Sequence, residues 1–583
     1  MKALNDFREI WLVDFEFSAP HGERPVVRCM VAREVKTGKV LRLWEDQLTS
    51  IASPPYGIDS DSLFVAYYAS AEMACHLSLG WELPDYVLDL FVEFRSQTNG
   101  LTLPCGAGLL GALSWFDLDA ISSVDKEVFR ELAMRGGPYC ASERVALLDY
   151  CQSDVDSLYE LLTVMAPHLD VPRAVHRGRY MKAVARIEHC GIPVDGMTLS
   201  KLRDCWDEIK LKLIERVDER FQVYDGQAFR TERFVDFLNR ENIPWPRLPS
   251  GALDLKDETF KAMAVSYPVL NDLRELRQSL SQLKLSNIAV GTDVRNRCLL
   301  SAFRSRTGRN QPSNSEFLFG PSVWIRSLIK PEPTMGLAYI DWSQQEFGIA
   351  AALSNDSNMK EAYLSGDPYL AFAKQAGAVP GWGTKETHKA ERDQFKACVL
   401  AVQYGMGYES LALRINQPTI RAKELLRLHK ETYREFWAWS DAVVDYAMLN
   451  NKLWTVFGWT VRTGDNPNPR FLRNFLMQAN GSEMLRLACC LLTENGIRVC
   501  APVHDAVLIE APISSIREVC LQAQALLEEA SSAVLDGFRL RSDVDLICFP
   551  DRYMDERGAR MWSRITEVLD QLEPSCEEGC IDV

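Results

Sequence analysis

Residues 337–346, LAYIDWSQQE, most strongly constrain how this chain can fold. The apolar run at 337–340 is rich in strand formers and ends on one carboxylate, Asp341, and an apolar helical pattern follows at 347–353. The pattern predicts a buried strand that turns directly into a helix, with Asp341 at the turn. A helix N-cap uses the same residue type, so this motif alone leaves a capping role open.

A second carboxylate lies in residues 502–510, PVHDAVLIE. Asp505 falls between two apolar runs, which is the pattern of a hairpin turn. Two strands that each bring one carboxylate to the same place can hold two divalent cations, and Mg²⁺ prefers one or two carboxylates together with substrate phosphates. Asp341 and Asp505 therefore predict phosphoryl or nucleotidyl transfer.

Length and composition set broader limits. A chain of 583 residues is too long for one core and predicts about three to five domains. With 47% apolar and 25% charged residues and no apolar run of membrane-span length or signal-peptide type, we expect a soluble cytoplasmic protein. The 16 cysteines lack zinc spacing and are expected to be reduced. A net charge of −15 argues against a uniformly basic nucleic-acid surface but permits a local basic cleft.

The first 168 residues contain another acidic pattern. Asp14 and Glu16 interrupt an apolar strand at 10–17 and lie two positions apart, so they share a face. Buried like charges are costly unless a cation joins them. Tyr150 and Asp154 are spaced i, i+4 on a predicted helix. Together these residues predict a second metal site.

Two polar stripes are predicted on helices. The first has members spaced four apart, Arg392, Lys396, Leu400 and Tyr404. Its cations would meet a triphosphate and its last two members a base, although the cations alone would also fit a solvated surface helix. The second stripe, Arg470, Asn474 and Gln478, offers donors for minor-groove acceptors shared by all base pairs. Arg309 lies in an arginine-rich segment that suits contacts to a duplex, or a solvated loop.

The N-terminal motifs DxE and YxxxD resemble those of the DnaQ-like 3′–5′ exonucleases. The resemblance implies an RNase H-like domain that hydrolyses DNA with two Mg²⁺ ions, Tyr150 orienting the attacking water. Glu72, in AYYASAEM, stands where that family has an Asp, with Asp89 as a further acid of the region. The expected metal ligands are Asp14, Glu16, Glu72 and Asp154. A folded but inactive exonuclease domain is the alternative.

Five motifs follow in the order TGR, DWSQQE, RxxxKxxxLxxxYG, RxxxNxxxQ and VHD. Together they resemble the family A DNA polymerases, the bacterial DNA polymerase I group and its phage relatives. The resemblance implies an α/β multidomain protein in which the exonuclease-like domain precedes a right-hand polymerase. Because the proofreading-type domain begins at residue 10, without a preceding 5′ nuclease, we expect a phage or plasmid type, acting in a bacterial or phage-infected cytoplasm.

The resemblance also implies roles for single residues. Asp341 and Asp505 would bind both catalytic Mg²⁺ ions of the polymerase site. Arg392 and Lys396 would hold the incoming triphosphate, and Lys396 would protonate the leaving pyrophosphate. Glu346 would exclude a ribose 2′-OH. The residues expected at the template side, the primer terminus and the minor groove are Tyr404, Arg309, Arg470, Asn474, Gln478 and His504.

Three positions depart from the family pattern. Leu400 replaces an aromatic residue, which predicts altered selection between deoxynucleotides and dideoxynucleotides. Ala506 follows Asp505 where Glu is usual, so Asp341 and Asp505 remain the principal metal carboxylates. Tyr369 replaces a phosphate-contacting His, and its hydroxyl could still donate a hydrogen bond.

The implied domains are given by residue numbers alone. They are the exonuclease-like domain at 1–168, thumb at 169–300, palm at 301–353 and 453–570, fingers at 354–452 and an acidic tail at 571–583. The expected partners are primer-template DNA, deoxynucleoside triphosphates and replication accessory proteins, with no membrane. A phage-type single-subunit RNA polymerase, an exonuclease with an inactive polymerase-like clamp and an inactive primer-template binding protein are the alternatives.

Overall fold

The computed structural model describes residues 2–119, 123–281, 285–320, 322–403, 405–464 and 467–572. The predictions for Tyr404 and for the tail beyond 572 therefore lie outside the described residues. Short 3-10 helices occupy Leu4–Asp6, Ala166–His168, Pro268–Leu270, Leu285–Asn287 and Val323–Leu328. Within the described ranges, no helix has both the length and the apolar character needed to cross a membrane.

The N-terminal part is built on a mixed five-stranded sheet. Its elements are β1 (Glu9–Ser18), β2 (Val26–Glu34), β3 (Val40–Trp44), α1 (Glu45–Ser50), β4 (Ser62–Ala66), α2 (Ser70–Leu79), β5 (Tyr86–Asp89), α3 (Leu90–Thr98), α4 (Leu109–Trp115), α5 (Ser123–Met134), α6 (Ala141–Met165) and α7 (Val171–Cys190). The strand order is β3-β2-β1-β4-β5, with β1 antiparallel to β2 and parallel to β4. The strand predicted at 10–17 and the helix predicted around residue 150 are both confirmed.

The next part is mostly helical, as predicted. Its elements are β6 (Ile192–Pro193), α8 (Gly196–Asp204), α9 (Trp206–Phe221), β7 (Tyr224–Asp225), β8 (Ala228–Phe229), α10 (Thr231–Arg240), α11 (Asp257–Ser266), α12 (Asn271–Ser281) and β9 (Arg295–Asn296). Its core continues into the C-terminal part, where Trp206 stacks on Trp324 at 5.8 Å and Trp324 lies 6.2 Å from Trp562.

The remaining part combines an antiparallel sheet with many helices. Its elements are β10 (Met335–Trp342), α13 (Gln345–Ser354), α14 (Ser357–Leu364), α15 (Pro368–Gln375), α16 (Lys389–Gln403), α17 (Tyr408–Ile415), α18 (Thr419–Thr432), α19 (Arg434–Asn450), β11 (Lys452–Trp454), β12 (Thr460–Arg462), α20 (Pro469–Glu494), β13 (Arg498–Val503), β14 (Ala506–Pro512), α21 (Ile516–Val534), β15 (Ser542–Cys548) and α22 (Glu556–Leu572). The order in the sheet is β13-β14-β10-β15, and all neighbours are antiparallel.

Helix α7 connects the N-terminal sheet to the antiparallel sheet. It packs on β5 on one side and on α20 and β13 on another. Its Gly178 permits the close approach, because a Cβ there would lie 1.8 Å from the carbonyl oxygen of Val87. The neighbouring Arg177 forms a buried bidentate ion pair with Glu93 of α3, with both N···O distances at 2.7 Å. The two sheets therefore share one continuous core.

Candidate active sites

Strand register brings the two predicted carboxylates of the antiparallel sheet together. Asp341, next to the end of β10, pairs with Ala506, the first residue of β14. Asp505 immediately precedes Ala506, and its carbonyl oxygen accepts a hydrogen bond from the Trp342 backbone N–H at 3.3 Å. The strand-to-helix turn and the hairpin turn thus lie at the same edge of the sheet, as the two sequence patterns predict.

The electrostatics of this edge suit a cation. Burial, followed by the negative charge of Asp505, raises the pKa of Asp341 to about 7. Burial also raises the pKa of Asp505. Carboxylates that share a partly buried place repel one another, and a divalent cation removes that repulsion. The donor set consists of carboxylate oxygens, which are hard ligands of the kind that Mg²⁺ takes, so the residues fit the expected metal.

The structure adds a third carboxylate that sequence reasoning missed. Asp543 of β15 stands directly opposite Asp341 in the strand register. Its Oδ2 accepts a hydrogen bond of 2.6 Å from the Ser343 hydroxyl, and its charge adds to the forces that raise the pKa of Asp341. The only signal in the sequence is the alternating pattern SDVD, which is also typical of an exposed edge strand.

Three further predicted residues lie close to this carboxylate group. Arg309 Nη2 is 3.5 Å from Glu346 Oε1. Burial raises the pKa of Glu346, while the charge of Arg309 opposes that rise. His504 forms the hairpin turn with a left-handed φ of 55°, and its charge and that of Arg309 both act on Asp505. Arg309, Glu346 and His504 therefore gather around the acids.

The predicted cationic stripe lies on α16. Arg392 and Lys396 are both placed over the ring of Tyr369, with Cζ at 5.5 Å and Nζ at 5.6 Å from the ring centroid. Arg392 also forms an ion pair with Asp367, which sequence reasoning missed because this Asp reads as the N-cap of α15, a role that it also has. Leu400 follows one turn further along, half-buried. Helix α16 packs against α13, which follows the turn that carries Asp341. The stripe is therefore connected to the acids through α13.

The second polar stripe lies on the first turns of α20. Arg470 and Asn474 line a cavity of about 750 Å³ that Gly405 also borders. Gly405 has a φ of +60°, and a Cβ there would lie 2.6 Å from Cγ of Arg470, so glycine is required for both reasons. Gln478 is half-buried one turn further along the helix.

A second acidic group lies on the N-terminal sheet. Carboxylate oxygens of Asp14 and Glu16, on β1, lie within 4.8 Å of one another and of the Cys151 sulfur. Glu72, in the first turn of α2, is buried. Burial, followed by the charges of Asp14, Glu16 and Asp89 and then of Asp154, raises the pKa of Glu72. The acids predicted from separate motifs are therefore neighbours.

One carboxylate oxygen of this group is available to a metal ion. Glu72 Oε2 is buried and has no hydrogen-bond partner among the described residues. Burial, followed by the charge of Asp154, raises the pKa of Tyr150, and the Tyr150 ring stacks on Phe129 at 5.2 Å. An orphaned carboxylate oxygen beside several other carboxylates is what a divalent cation would satisfy.

Asp89 has a different role. Its side chain caps α3 through Phe91 and Val92 and also accepts hydrogen bonds from the backbone N–H groups of Tyr68 at 3.0 Å and Ala69 at 2.8 Å. These contacts fix the chain around β4 and α2. Of the two acids Glu72 and Asp89, Glu72 is the one on which the charges of Asp14 and Glu16 act, and its role as a metal ligand stays a prediction.

Comparison with known proteins finds a resemblance that includes the C-terminal part. Residues 320–546 match the family model for DNA polymerase family A. The thermostable DNA polymerase I of Thermus caldophilus is 24% identical over 382 residues, 60% of this chain and 45% of that protein. For the DNA polymerase I of Chloroflexus aurantiacus the identity is 23% over 435 residues, covering 68% and 45%, and for the DNA polymerase of Mycobacterium phage L5 it is 25% over 251 residues, covering 42% and 40%. The chain spans about half the length of these relatives.

The fold is also shared with a solved structure, the POL domain of Pol1 from M. smegmatis in complex with DNA primer-template and dNTP. The TM-score is 0.68 at 18% sequence identity, covering 92% of this chain and 95% of that chain. The likeness extends over nearly the whole described chain and shows the polymerase fold. Residues 320–546 of this chain therefore resemble DNA polymerase family A in sequence, within a fold that is shared with that POL domain.

Proposed function

We propose that this chain is a template-directed DNA polymerase that adds deoxynucleotides to the 3′-OH of a primer. The observation that carries the proposal is the convergence of Asp341 and Asp505 at one sheet edge, inside the matched polymerase domain. Its partners would be primer-template DNA and deoxynucleoside triphosphates, with replication accessory proteins as further candidates. The palm, fingers and thumb would occupy the ranges given by the sequence motifs.

The residues predicted for the polymerase site would have separate roles. Two Mg²⁺ ions, when bound by Asp341 and Asp505, would supply the charge that activates the primer hydroxyl and stabilises the transition state. Arg392 and Lys396 would bind the triphosphate, and Lys396 would give a proton to the pyrophosphate as it leaves. Glu346, held beside Arg309, would crowd a ribose 2′-OH and so favour deoxynucleotides.

The remaining predicted residues would hold the nucleic acid and the nucleotide. Arg470, Asn474 and Gln478 would test the primer terminus through minor-groove acceptors, which all correct base pairs share. His504, in the hairpin turn, would contact the primer terminus itself. Tyr369 would orient Arg392 and Lys396, since both cations already lie over its ring. Leu400 would contact the sugar of the nucleotide, and Tyr404 would pack at the template side.

Primer extension tests the polymerase. Asp341→Asn and Asp505→Asn should each lower the extension rate by about three orders of magnitude, because metal ligation contributes several kcal/mol to the barrier. Asp551→Asn, an exposed acid after β15, is the matched control and should leave extension unchanged. Absence of extension by the wild type would overturn the proposal, and equal incorporation of ribonucleotides and deoxynucleotides would favour an RNA polymerase.

We also propose a 3′–5′ exonuclease in the N-terminal domain, with an RNase H-like fold and two Mg²⁺ ions. The observation that favours it is the buried and orphaned Glu72 oxygen next to Asp14, Glu16 and Asp154. Tyr150 would orient the attacking water. The expectation is that Glu72 serves in place of the Asp of related enzymes.

Shortening of a labelled single strand tests this second activity. Asp14→Asn and Glu72→Gln should abolish shortening in Mg²⁺ while leaving primer extension intact, and Asp341→Asn should do the reverse. If the wild type extends primers but never shortens them, the N-terminal domain is structural. If shortening survives Glu72→Gln unchanged, Glu72 is not a metal ligand.

A further inference from the structure

A cavity of about 450 Å³ lies between α3 and the segment at 299–304 that leads into the polymerase domain. Two arginines, Arg95 and Arg304, line it together with Tyr68, Phe91 and Ser301. None of these residues belongs to the catalytic groups described above. The cavity is therefore a separate feature with a cationic and aromatic wall.

The two arginines have no acidic partner among the residues that the structure describes. Arg95 Nη2 donates a hydrogen bond of 2.6 Å to the carbonyl oxygen of Arg304, which fixes the Arg95 guanidinium beside the backbone of Arg304. Neither has an ion pair among the described side chains, and Arg95 Nε is buried with no hydrogen-bond partner there. Burial, followed by the like charge of Arg304, lowers the pKa of Arg95. An anion in the cavity that both side chains line would remove the repulsion between them.

Tyr68 connects this cavity to the N-terminal acids. Its ring packs edge to face on Phe91 at 5.2 Å, and it also lines a neighbouring cavity of about 520 Å³ that Glu16 borders. Its backbone has a φ of 71°, held by the Asp89 carboxylate at 3.0 Å. Left-handed backbone is strained for an aromatic residue, and such strain is concentrated at functional sites.

We propose that Arg95 and Arg304 bind a phosphodiester group of single-stranded DNA whose 3′ end reaches Asp14 and Glu16, with Tyr68 stacking on an unpaired base. Stacking requires a base free of its partner, which a duplex does not offer. This inference rests on the proposed exonuclease, because that activity would require the 3′ end of the strand to lie at Asp14 and Glu16. The site would hold the strand behind the scissile bond.

Binding without hydrolysis tests the inference separately from the exonuclease. The affinity of the full chain for a short fluorescent oligothymidylate is measured by anisotropy in EDTA over a range of salt concentrations. Loss of one phosphate contact should reduce the salt slope by about 0.7, so Arg95→Gln and Arg304→Gln should each show that change with several-fold weaker binding. Arg95→Lys should recover the slope, and Tyr68→Ala should weaken binding at an unchanged slope.

Arg517→Gln, an exposed arginine of α21, is the matched control and should change neither quantity. Circular dichroism melting of each variant checks its folding. An unchanged slope in folded Arg95→Gln would overturn the inference even if the chain degrades DNA. A reduced slope in a chain that never degrades DNA would support the phosphate site and sink the exonuclease. Equal competition by thymidine monophosphate would overturn the strand as the ligand.

Discussion

The carboxyl group of Glu188, near the end of α7, illustrates what burial does to a single residue. It accepts a hydrogen bond of 2.7 Å from the Leu300 backbone N–H, and burial raises its pKa to about 7, against about 4.3 in an unfolded chain. Between these pH values the native state binds more protons than the unfolded state. The free energy of unfolding therefore falls as the pH rises through this window, and the loss is complete above pH 7.

Glu188→Gln should remove that pH dependence, because the amide can accept the same hydrogen bond without a charge. We expect the variant to exceed the wild type by roughly 3 to 4 kcal/mol in free energy of unfolding at pH 8 and to match it near pH 4. Denaturant titrations at the two pH values measure the difference. A variant that is less stable than the wild type at pH 8 would show that the charged form is stabilised in the native state.

Cys190 and Cys500 form a thiol pair at the junction of α7 and β13. Arg295 Nη2 lies 3.7 Å from both sulfurs. A hydrogen bond from Cys500, supported by the Arg295 charge, lowers the pKa of Cys190. We therefore expect Cys190 to react with iodoacetamide below the pH range of an ordinary thiol, since the thiolate is the nucleophile.

Peptide mapping by mass spectrometry after alkylation between pH 5 and 9 identifies alkylated Cys190 and gives the pH midpoint of its reaction. Removal of the donor in Cys500→Ala should move the pH midpoint of Cys190 alkylation upward, toward that of a free cysteine. An unchanged midpoint in that variant would contradict the assigned cause.

Single residues also show where sequence reasoning stops. Asp341 and Asp505 could be predicted because one ends an apolar strand pattern and the other lies in the turn between two apolar runs, and both patterns are local. Asp543 and the partnership of Arg392 with Asp367 could not, because both depend on pairing between distant segments whose local patterns are those of an exposed strand and a helix cap.

At the scale of elements, the pairing of α16 with the start of α15 controls the cationic stripe. Arg392 is engaged by Asp367, so it must leave this partner before it can bind a triphosphate. Asp367→Asn keeps the N-cap of α15, because Asn caps as well as Asp, but removes the charge. We expect nucleotide binding by the variant to tighten by up to about fivefold, the equivalent of about 1 kcal/mol for a partly exposed pair.

Single-nucleotide extension on a fixed primer-template measures KM for the nucleotide in this variant. Asp393→Asn, which removes a weaker contact of Arg392 at 3.5 Å, is the matched control and should have a smaller effect. A KM that rises in Asp367→Asn would mean that Asp367 positions Arg392 for binding and does not compete with the triphosphate.

The elements themselves follow closely from local pattern. The strand-to-helix turn at Asp341, the hairpin at Asp505 and the helix that carries Arg392 all appear where the periodicity predicts them. Strand order does not follow in this way. Strand β15 pairs with β10 on the side away from β14, and α21 packs against all three strands. These contacts join segments that are distant in the sequence, so no short stretch of sequence predicts them.

At the scale of the whole molecule, the packing of α7 determines how the parts are joined. The sequence predicts a boundary near residue 168, yet α7, just beyond it, packs into both sheets, and the buried core runs from β1 through α7 to α13 and α20. A helix with two buried faces has no amphipathic pattern that would assign it to either domain. We therefore expect the N-terminal sheet and the antiparallel sheet to unfold together.

Gly178→Ala tests this coupling. In an exposed helix the change would stabilise by about 1 kcal/mol, but here the added Cβ meets the Val87 carbonyl oxygen at 1.8 Å. The helix must move away from β5, which should cost about 2 to 3 kcal/mol and loosen the ion pair between Arg177 and Glu93. Thermal melting with hydrogen exchange should show a lower Tm and faster exchange in both β5 and α20, while Gly381→Ala, which meets nothing within 4 Å, should change neither. Faster exchange in β5 alone would show that the two sheets unfold independently, because a shared core would transmit the displacement of α7 to α20.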